Sequence, residues 1–524
     1  MQRRDFLKKT IPAVSLVHGA INGYSVRAFA ASPLLQSILS ADKETDHVLV
    51  IVQLSGGNDG LNTVIPLDNY SNYYNARTNI AIPEAKVLKL DNYPHAGLHP
   101  SMSGMQSLYN EGKLSVVQAV GYPSPNFSHF RATDIWMTGA DTNQVLNTGW
   151  AGRYLNLEYP NFPVGYPNAT MTDPLAIQIG SVTTLTCQGP VVNMGMSITD
   201  PTSFYNFINN IQDPAPSNQM GYELNYIREV ASQTNQYAQS IKKAAAAVTQ
   251  QGSYPANNSL ADQLKIVARL VKGGLKTRIY MVSYGSFDTH SLQAAASDTT
   301  TGNHANLLAN VSNAIKAFVD DCYYLGIENR VIGMTYSEFG RRIKSNASGG
   351  TDHGAAAPMF LFGKNVTHAV YGNSPALPSS ATVNDNIPFQ YDFRSVYASV
   401  LQRWFCVNAT DLQMMMMKNY QVLDLVNDSA CKDQPVPTTS KLVMNYPNPF
   451  TENTTIQFKT NGGHTLVQVI NGLGQVIRTL VEQEYNAAGT YTIGFDSYGL
   501  PTGVYYARLQ NGSIQQVAPM LKVR

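Results

Sequence analysis

Residues 330–354 read RVIGMTYSEFGRRIKSNASGGTDHG. The first eight are a near-continuous apolar run of strand length. Such a run, without alternation, is what a strand buried on both faces of a parallel sheet requires. The polar remainder follows at once. It holds Glu338, Arg341 and Arg342, the Gly349-Gly350 turn, and Asp352-His353. Dense polar chemistry straight after a buried strand predicts a site at the carboxyl edge of an open α/β sheet.

Similar runs recur at HVLVIVQL (47–54), KLSVVQAVG (113–121), TRIYMVSYG (277–285) and PMFLFG (358–363). Helical patterns separate them. SMSGMQSLYNEG (101–112) precedes one strand. HANLLANVSNAIKAFVDDCYYLGI (304–327) carries Leu307, Leu308, Val311, Ile315, Phe318, Val319 and Cys322 at helical spacing. DFRSVYASVLQRWF (392–405) reads as a late helix. The expected fold class is α/β, a doubly wound and mostly parallel sheet spanning 45–426. The stretch around 141–265, rich in Pro, Asn and Gln, is expected to form a partly helical cap.

Three more polar clusters follow apolar runs. LSGGNDGLNTVIP (54–66) brings Asp59, a candidate metal ligand, behind Gly56 and Gly57, whose amides suit an anion. YGSFDTH (284–290) offers Asp288 and His290, two good ligands for zinc-like ions. PSPNFSHFRATDIWMTG (123–139) offers Ser128 as a nucleophile that a metal would activate, with His129 and Arg131 beside it. Each cluster alone is equally well a turn, a cap or a solvated loop. Together they predict a metal site of carboxylates and imidazoles: Asp59, Asp288, His290, Glu338 and His353. His129, Arg131 and Arg341 are the expected contacts to an anionic substrate.

The rest of the chain reads as an exported protein. Residues 1–31 show a basic start with Arg3-Arg4, an apolar middle and a small-residue AFA end, an export signal resembling the twin-arginine type. No other stretch reaches the ~18 uninterrupted apolar residues of a membrane span, so no transmembrane segment is expected in the mature protein. A net charge of +1 and 14% charged residues exclude a general polyanion binder, and no nucleic acid partner is expected. The four cysteines form no Cys-X-X-Cys pair, which excludes a zinc knuckle; one disulfide or buried thiols remain open. Residues 427–440 read as a linker. Beyond it, 441–524 alternates apolar and polar residues between Gly and Asn turns, the pattern of a small antiparallel β-sandwich.

Two resemblances rest on specific motifs. YPNPF, VINGLGQVI, GLPTGVYYARL and the terminal KVR resemble the type A C-terminal sorting domain of the type IX (Por) secretion system. That implies the type IX machinery as a partner, with release or attachment at the surface of a Bacteroidetes-type cell. LSGGNDGLNTVIP, SHFRATDIWMTG, GWAGRYLN, FDTH, SEFGRR and TDHG resemble the bacterial secreted family of unknown function numbered 1501. That family is thought to be similar to the alkaline phosphatase and sulfatase superfamily. The resemblance implies a sheet of alkaline-phosphatase-like type, one or two divalent metals (zinc, calcium or magnesium) and an alkoxide nucleophile. Asp59, Ser128 and His353 match superfamily positions; Asp288 and His290 look like the Asp and His of the other metal but have one residue between them where three are usual, and Glu338 stands where an Asp-His pair is usual. No Cys-X-Pro-X-Arg or Ser-X-Pro-X-Arg signature occurs, which argues against formylglycine chemistry. The leading expectation is a metal-dependent hydrolase of a phosphate or sulfate ester. The alternative, from a different class, is a non-catalytic secreted or surface-displayed protein that binds an anionic polysaccharide on a degenerate hydrolase fold.

Overall fold

The computed structural model describes residues 45–201 and 236–427 almost throughout, Cys431, most of 442–523, and residues 20, 21, 24 and 25. The export-signal reading of 1–31 falls almost wholly outside these residues, as does most of the 427–440 linker. Among the described residues no helix is long and apolar enough to cross a membrane. The chain divides into two compact units, 46–404 with 421–428, and 405–420 with 429–524.

The first unit is built on a nine-stranded sheet. Its strands are β1 (Val48–Leu54), β2 (Leu114–Gly121), β3 (Ala176–Ile179), β4 (Gly195–Ile198), β5 (Ile279–Tyr284), β6 (Val331–Tyr336), β7 (Ala357–Phe362), β8 (Val370–Tyr371) and β9 (Tyr391–Asp392). The order is β8-β2-β7-β6-β1-β5-β3-β4, with β9 also paired to β2. All pairings are parallel except those of β7, which runs antiparallel to both β6 and β2. The 358–363 run, read from sequence among the strands of a parallel sheet, is thus the reversed one. Two short strands within the stretch expected as a cap, β3 and β4, extend the sheet at one edge.

Helices cover both faces. On one, α1 (Ser103–Asn110), α3 (Ser259–Lys272) and α4 (Asn303–Tyr324) share a core with Val48, Val50 and Val52 of β1; α2 (His129–Thr138) lies elsewhere. Leu49 and Ile51 are equally buried and, by strand alternation, face the other side. There Trp136 of α2 stacks on Tyr336 of β6 at 5.7 Å and on Phe393 of α5 (Phe393–Arg403) at 4.3 Å. Helix α4 buries Leu308, Val311, Ile315, Phe318, Val319 and Cys322, the stripe read from its sequence. Asn258 caps α3 by accepting from the Leu260 and Ala261 amides.

The second unit is an antiparallel sandwich. One sheet orders β10 (Leu442–Tyr446), β11 (Asn453–Thr460) and β14 (Gly489–Asp496). The other orders β13 (Val476–Tyr485), β12 (Gly463–Asn471), β15 (Gly503–Asn511) and β16 (Ile514–Lys522). Phe450, Ile456, Phe458, Val467, Val469, Phe495, Leu509 and Met520 fill its core. Cys406 and Cys431 form a disulfide in this unit, while Cys187 and Cys322 are buried thiols in the first. A disulfide fits an oxidising compartment.

Candidate metal centre

The reversal of β7 assembles the site. Strands β1, β2, β5 and β6 run in one direction, so their carboxyl ends share one edge. Because β7 opposes them, its amino end meets that same edge. His353, four residues before β7, therefore lands beside residues that follow the other strands. The 337–354 loop is closed by an antiparallel bridge between Arg341 and His353 and by the Gly354 amide donating to the Gly340 carbonyl at 2.8 Å.

Gly56 and Gly57 make room after β1. Both have positive φ, 118° and 80°. A Cβ on Gly56 would lie 2.4 Å from the Asp288 nitrogen, and one on Gly57 only 2.3 Å from the Phe339 ring. The buried Phe339 ring slides into that space and underlies His129 and His353, with ring centroids 5.0 and 4.5 Å away.

Three imidazoles gather round Asp288. His129 Nε2 lies 3.6 Å from Oδ2. His290 Nε2 and His353 Nε2 lie 3.1 and 3.2 Å from Oδ1, and 2.8 Å from each other. His129, Asp288 and His353 each offer a ligand atom within 4.8 Å of the others. In every ring the second nitrogen is engaged outside the cluster. His353 Nδ1 faces the Phe127 carbonyl at 2.8 Å, His290 Nδ1 faces Asp352 Oδ1 at 3.2 Å, and His129 Nδ1 faces Glu338 Oε1 at 3.0 Å. A carbonyl only accepts, so Nδ1 of His353 carries the proton and its Nε2 presents a lone pair. Asp352 and Glu338 stand behind His290 and His129 as carboxylates stand behind metal-binding histidines.

Electrostatics keep these groups in ligand form. Burial pushes the Asp288 carboxyl up, but the hydrogen bond and charge of Arg341, with His290 and His353, outweigh it and hold it below the usual range. Asp352 is held low mainly by the hydrogen bond from Asn346. Burial pulls His353 below its ordinary value, which favours the neutral ring. Three imidazole Nε2 atoms around one carboxylate make a donor set suited to a cation. The donor set, imidazoles with a carboxylate oxygen, is that of zinc-class ions rather than of the oxygen-only sites of calcium or magnesium. Ligands about 2.0 Å from a tetrahedral ion sit about 3.3 Å apart. The three Nε2 contacts with Asp288, 3.1 to 3.6 Å, and the 2.8 Å between His290 and His353 lie near that spacing.

The other expected site residues fall around this focus. Asp59 is not brought into it. Fully buried, its carboxylate is engaged by Arg77 Nη1 at 2.7 and 2.9 Å and by Gln293 Nε2 at 2.6 Å. Burial raises its pKa, yet Arg77, His304 and these hydrogen bonds hold it below the ordinary value. Glu338 stands behind His129, not among the Nε2 atoms. Its Oε1 also accepts the Gly56 amide at 2.6 Å. Arg341 is fully buried and does not face a substrate space. It donates to the carbonyls of Gly56, Gly57, Phe287 and Thr351 and to Asp288 Oδ1 at 2.7 Å. Arg131 donates to the carbonyls of Asp141, Thr142 and Gln144. His129, expected near the anion, is instead one of the converging imidazoles. Ser128 is exposed at the N-cap of α2, and its hydroxyl makes no capping bond.

Sequence reasoning missed Phe339, Arg77, Gln293 and the positioning roles of Asp352 and the Phe127 carbonyl. Phe339, Asp352 and Phe127 lay in quoted motifs, SEFGRR, TDHG and PSPNFSHFRATDIWMTG, while Arg77 and Gln293 lay in none. No local pattern marks a partner that arrives from 18 or 234 residues away, as Arg77 and Gln293 do at Asp59.

A family model described as "Protein of unknown function (DUF1501)" matches residues 46–412, and one described as "Secretion system C-terminal sorting domain" matches 444–522. The latter marks the protein for export by the type IX system of Bacteroidetes, to be secreted or attached at the cell surface. No curated protein matches the chain. Among solved structures it is similar to a protein in the alkaline phosphatase superfamily from Vibrio parahaemolyticus, at 9% identity over 80% of this chain and 78% of that one, with a TM-score of 0.31. It is similar at 9% identity to the PsFucS1 sulfatase from Pseudoalteromonas sp., covering 94% and 88% of the two chains, TM-score 0.31. The alkaline phosphatase from the Antarctic bacterium TAB5 matches at 9% identity, 63% and 96% coverage and a TM-score of 0.25.

Proposed function

We propose that this chain, which belongs to the DUF1501 family of proteins of unknown function, is an exported metal-dependent hydrolase of phosphate or sulfate esters. The observation that carries the reading is the convergence of three imidazole Nε2 atoms on Asp288, each ring fixed from behind through Nδ1. His129, His353 and Asp288 would hold a zinc-class ion, with His290 beside them. Bound there, the ion would polarise an ester oxygen and lower the pKa of a nearby hydroxyl.

The chain's own residues supply the rest. Ser128 adjoins His129, and its exposed hydroxyl, free of capping, is the nucleophile candidate. It stands at the amino end of the ten-residue α2, where the helix dipole favours an anionic group. Asp352 and Glu338 orient His290 and His129, as carboxylates behind metal-binding histidines do. Arg341 ties Asp288 to the loops after β1 and β5, so its charge serves the site without touching substrate.

Elemental analysis of the purified protein, followed by a zinc-supplemented assay of aryl phosphates and aryl sulfates, tests the reading. Stoichiometric zinc and turnover that both vanish in His353→Ala are expected. Zinc retention without turnover of either ester class would replace the hydrolase reading with the binding-protein one. No retained metal would sink both the ion and the chemistry.

A further inference from the structure

Resting on the hydrolase reading, we propose that Gln293 is a positioning residue that holds the two loops bearing the metal ligands in register with each other. Gln293 is buried. Its amide oxygen accepts two hydroxyls, that of Thr289 at 3.1 Å and that of Thr351 at 2.8 Å. Its amide nitrogen donates to Asp59 Oδ2 at 2.6 Å. An ionised carboxylate only accepts, so the amide must turn its nitrogen to Asp59 and its oxygen to the threonines.

The identity of the two threonines gives these bonds their meaning. Thr289 stands between Asp288 and His290, and Thr351 stands two residues before His353. Both threonines are buried, whereas Asp288 is exposed and His290 and His353 are half-buried. Each loop thus turns its ligands outward and one hydroxyl inward, and both hydroxyls end on a single oxygen. The backbones of the loops are joined as well. The Thr351 amide donates to the Thr289 carbonyl at 3.1 Å, and Asn346 Nδ2 donates to the His290 carbonyl at 2.8 Å. A Cβ on Gly350 would lie 2.4 Å from the His290 backbone. Sliding one loop along the other would break the shared bonds and strand buried polar groups.

Gln293 is itself anchored. Arg77 Nη1 locks the Asp59 carboxylate, and Nη2 of the same guanidinium donates to the carbonyls of Arg342 and Ile343 at 2.7 and 2.8 Å. Arg77, Asp59 and Gln293 therefore form a continuous buried series. It ties one limb of the 337–354 loop to the other, and both to the loop after β5. A buried network with its members paired settles into one arrangement. A metal centre needs such backing, because its ligand atoms must be held to within about 0.5 Å. Asp59, which stood in the sequence as a ligand, serves the ion at one remove.

Chelator competition for zinc and the visible spectrum of the cobalt(II)-loaded full chain test this role, with circular dichroism checking the fold of each variant. Gln293→Met and Thr351→Val should each weaken zinc binding by about tenfold and shift the cobalt band. Thr351→Ser, which keeps the hydroxyl, should match the parent in both. A residue that only supports the core would lower the unfolding midpoint and leave zinc affinity and the cobalt band as they were. That result in Thr351→Val and Gln293→Met would overturn the positioning role and leave the hydrolase reading standing. If Gln293→Met does not fold, Thr351→Val against Thr351→Ser decides alone. Failure of the parent protein to bind either ion would overturn the hydrolase reading, and the positioning role with it.

Discussion

Two aspartates follow two strands of one sheet, and each pairs with an arginine that is fully buried. Their surroundings give them opposite uses. Asp59 has a side chain with no exposure, and Arg77 meets it at 2.7 Å. Asp288 meets Arg341 at the same 2.7 Å, but 43% of its side chain is open and three imidazoles face it. A buried ion pair with its remaining lone pairs satisfied is a structural joint, because breaking it strands a charge. The half-exposed Asp288, faced by three imidazole Nε2 atoms, is where we propose an ion binds.

The same substitution at both positions breaks or confirms this contrast. Asp59→Asn should destabilise the α/β unit by about 3–5 kcal/mol in urea unfolding, since Arg77 loses its counter-charge. Asp288→Asn should cost less, about 1–3 kcal/mol, because its carboxylate is half-open and the buried Arg341 keeps four carbonyl acceptors, yet it should abolish zinc retention. Equal destabilisation would erase the distinction. Next in size, Glu338→Gln should weaken zinc affinity by about 10–100-fold in a competition titration with a chelator while the fold persists. An unchanged affinity would remove Glu338 from the positioning of His129.

The polar layer around Asp59 should also show in the pH dependence of stability. Burial chiefly, with the charge of His304, lowers the pKa of His99 to about 3. Burial, opposed by Asp59, lowers that of His304 to about 4. The unfolded chain takes up these protons near pH 6.5, while the folded chain resists them until pH 4 or 3. Stability is therefore full above pH 6.5 and falls as pH drops below it, by about 1.4 kcal/mol per histidine per pH unit at most. His99→Gln should flatten the curve between pH 6.5 and 4, read from urea midpoints at each pH. An identical slope in that variant would show that His99 takes up its proton as readily folded as unfolded. An effect of similar size is expected at Gly57→Ala. Crowding Phe339 and forcing φ 80° on alanine should cost about 1–3 kcal/mol and loosen zinc binding, because the ring under His129 and His353 must shift.

Periodicity made much of the fold legible. Apolar runs without alternation marked β1, β2, β5, β6 and β7, and the stripe on α4 marked its buried face. Alternation with Gly and Asn turns marked the C-terminal sandwich. These are local signals, because a strand or helix writes its burial into its own residues. The direction of β7 was not written there, since a strand buried on both faces reads alike either way. The strands β3 and β4 were hidden in a Pro- and Asn-rich stretch that reads as irregular.

For the site, the sequence by itself determined which residue types stand at strand ends: Asp59, Ser128, His129, Asp288, His290, Glu338 and His353. Only the tertiary structure decided their uses. It brought Arg77 and Gln293 to Asp59 and closed that carboxylate. It turned His129 from a presumed substrate contact into a converging imidazole, set Glu338 behind it, and engaged Arg131 and Arg341 with carbonyls. The physical reason is that a side chain's chemistry depends on its nearest charges, acceptors and water. Those neighbours come from strands and loops tens to hundreds of residues away, beyond the reach of any local pattern.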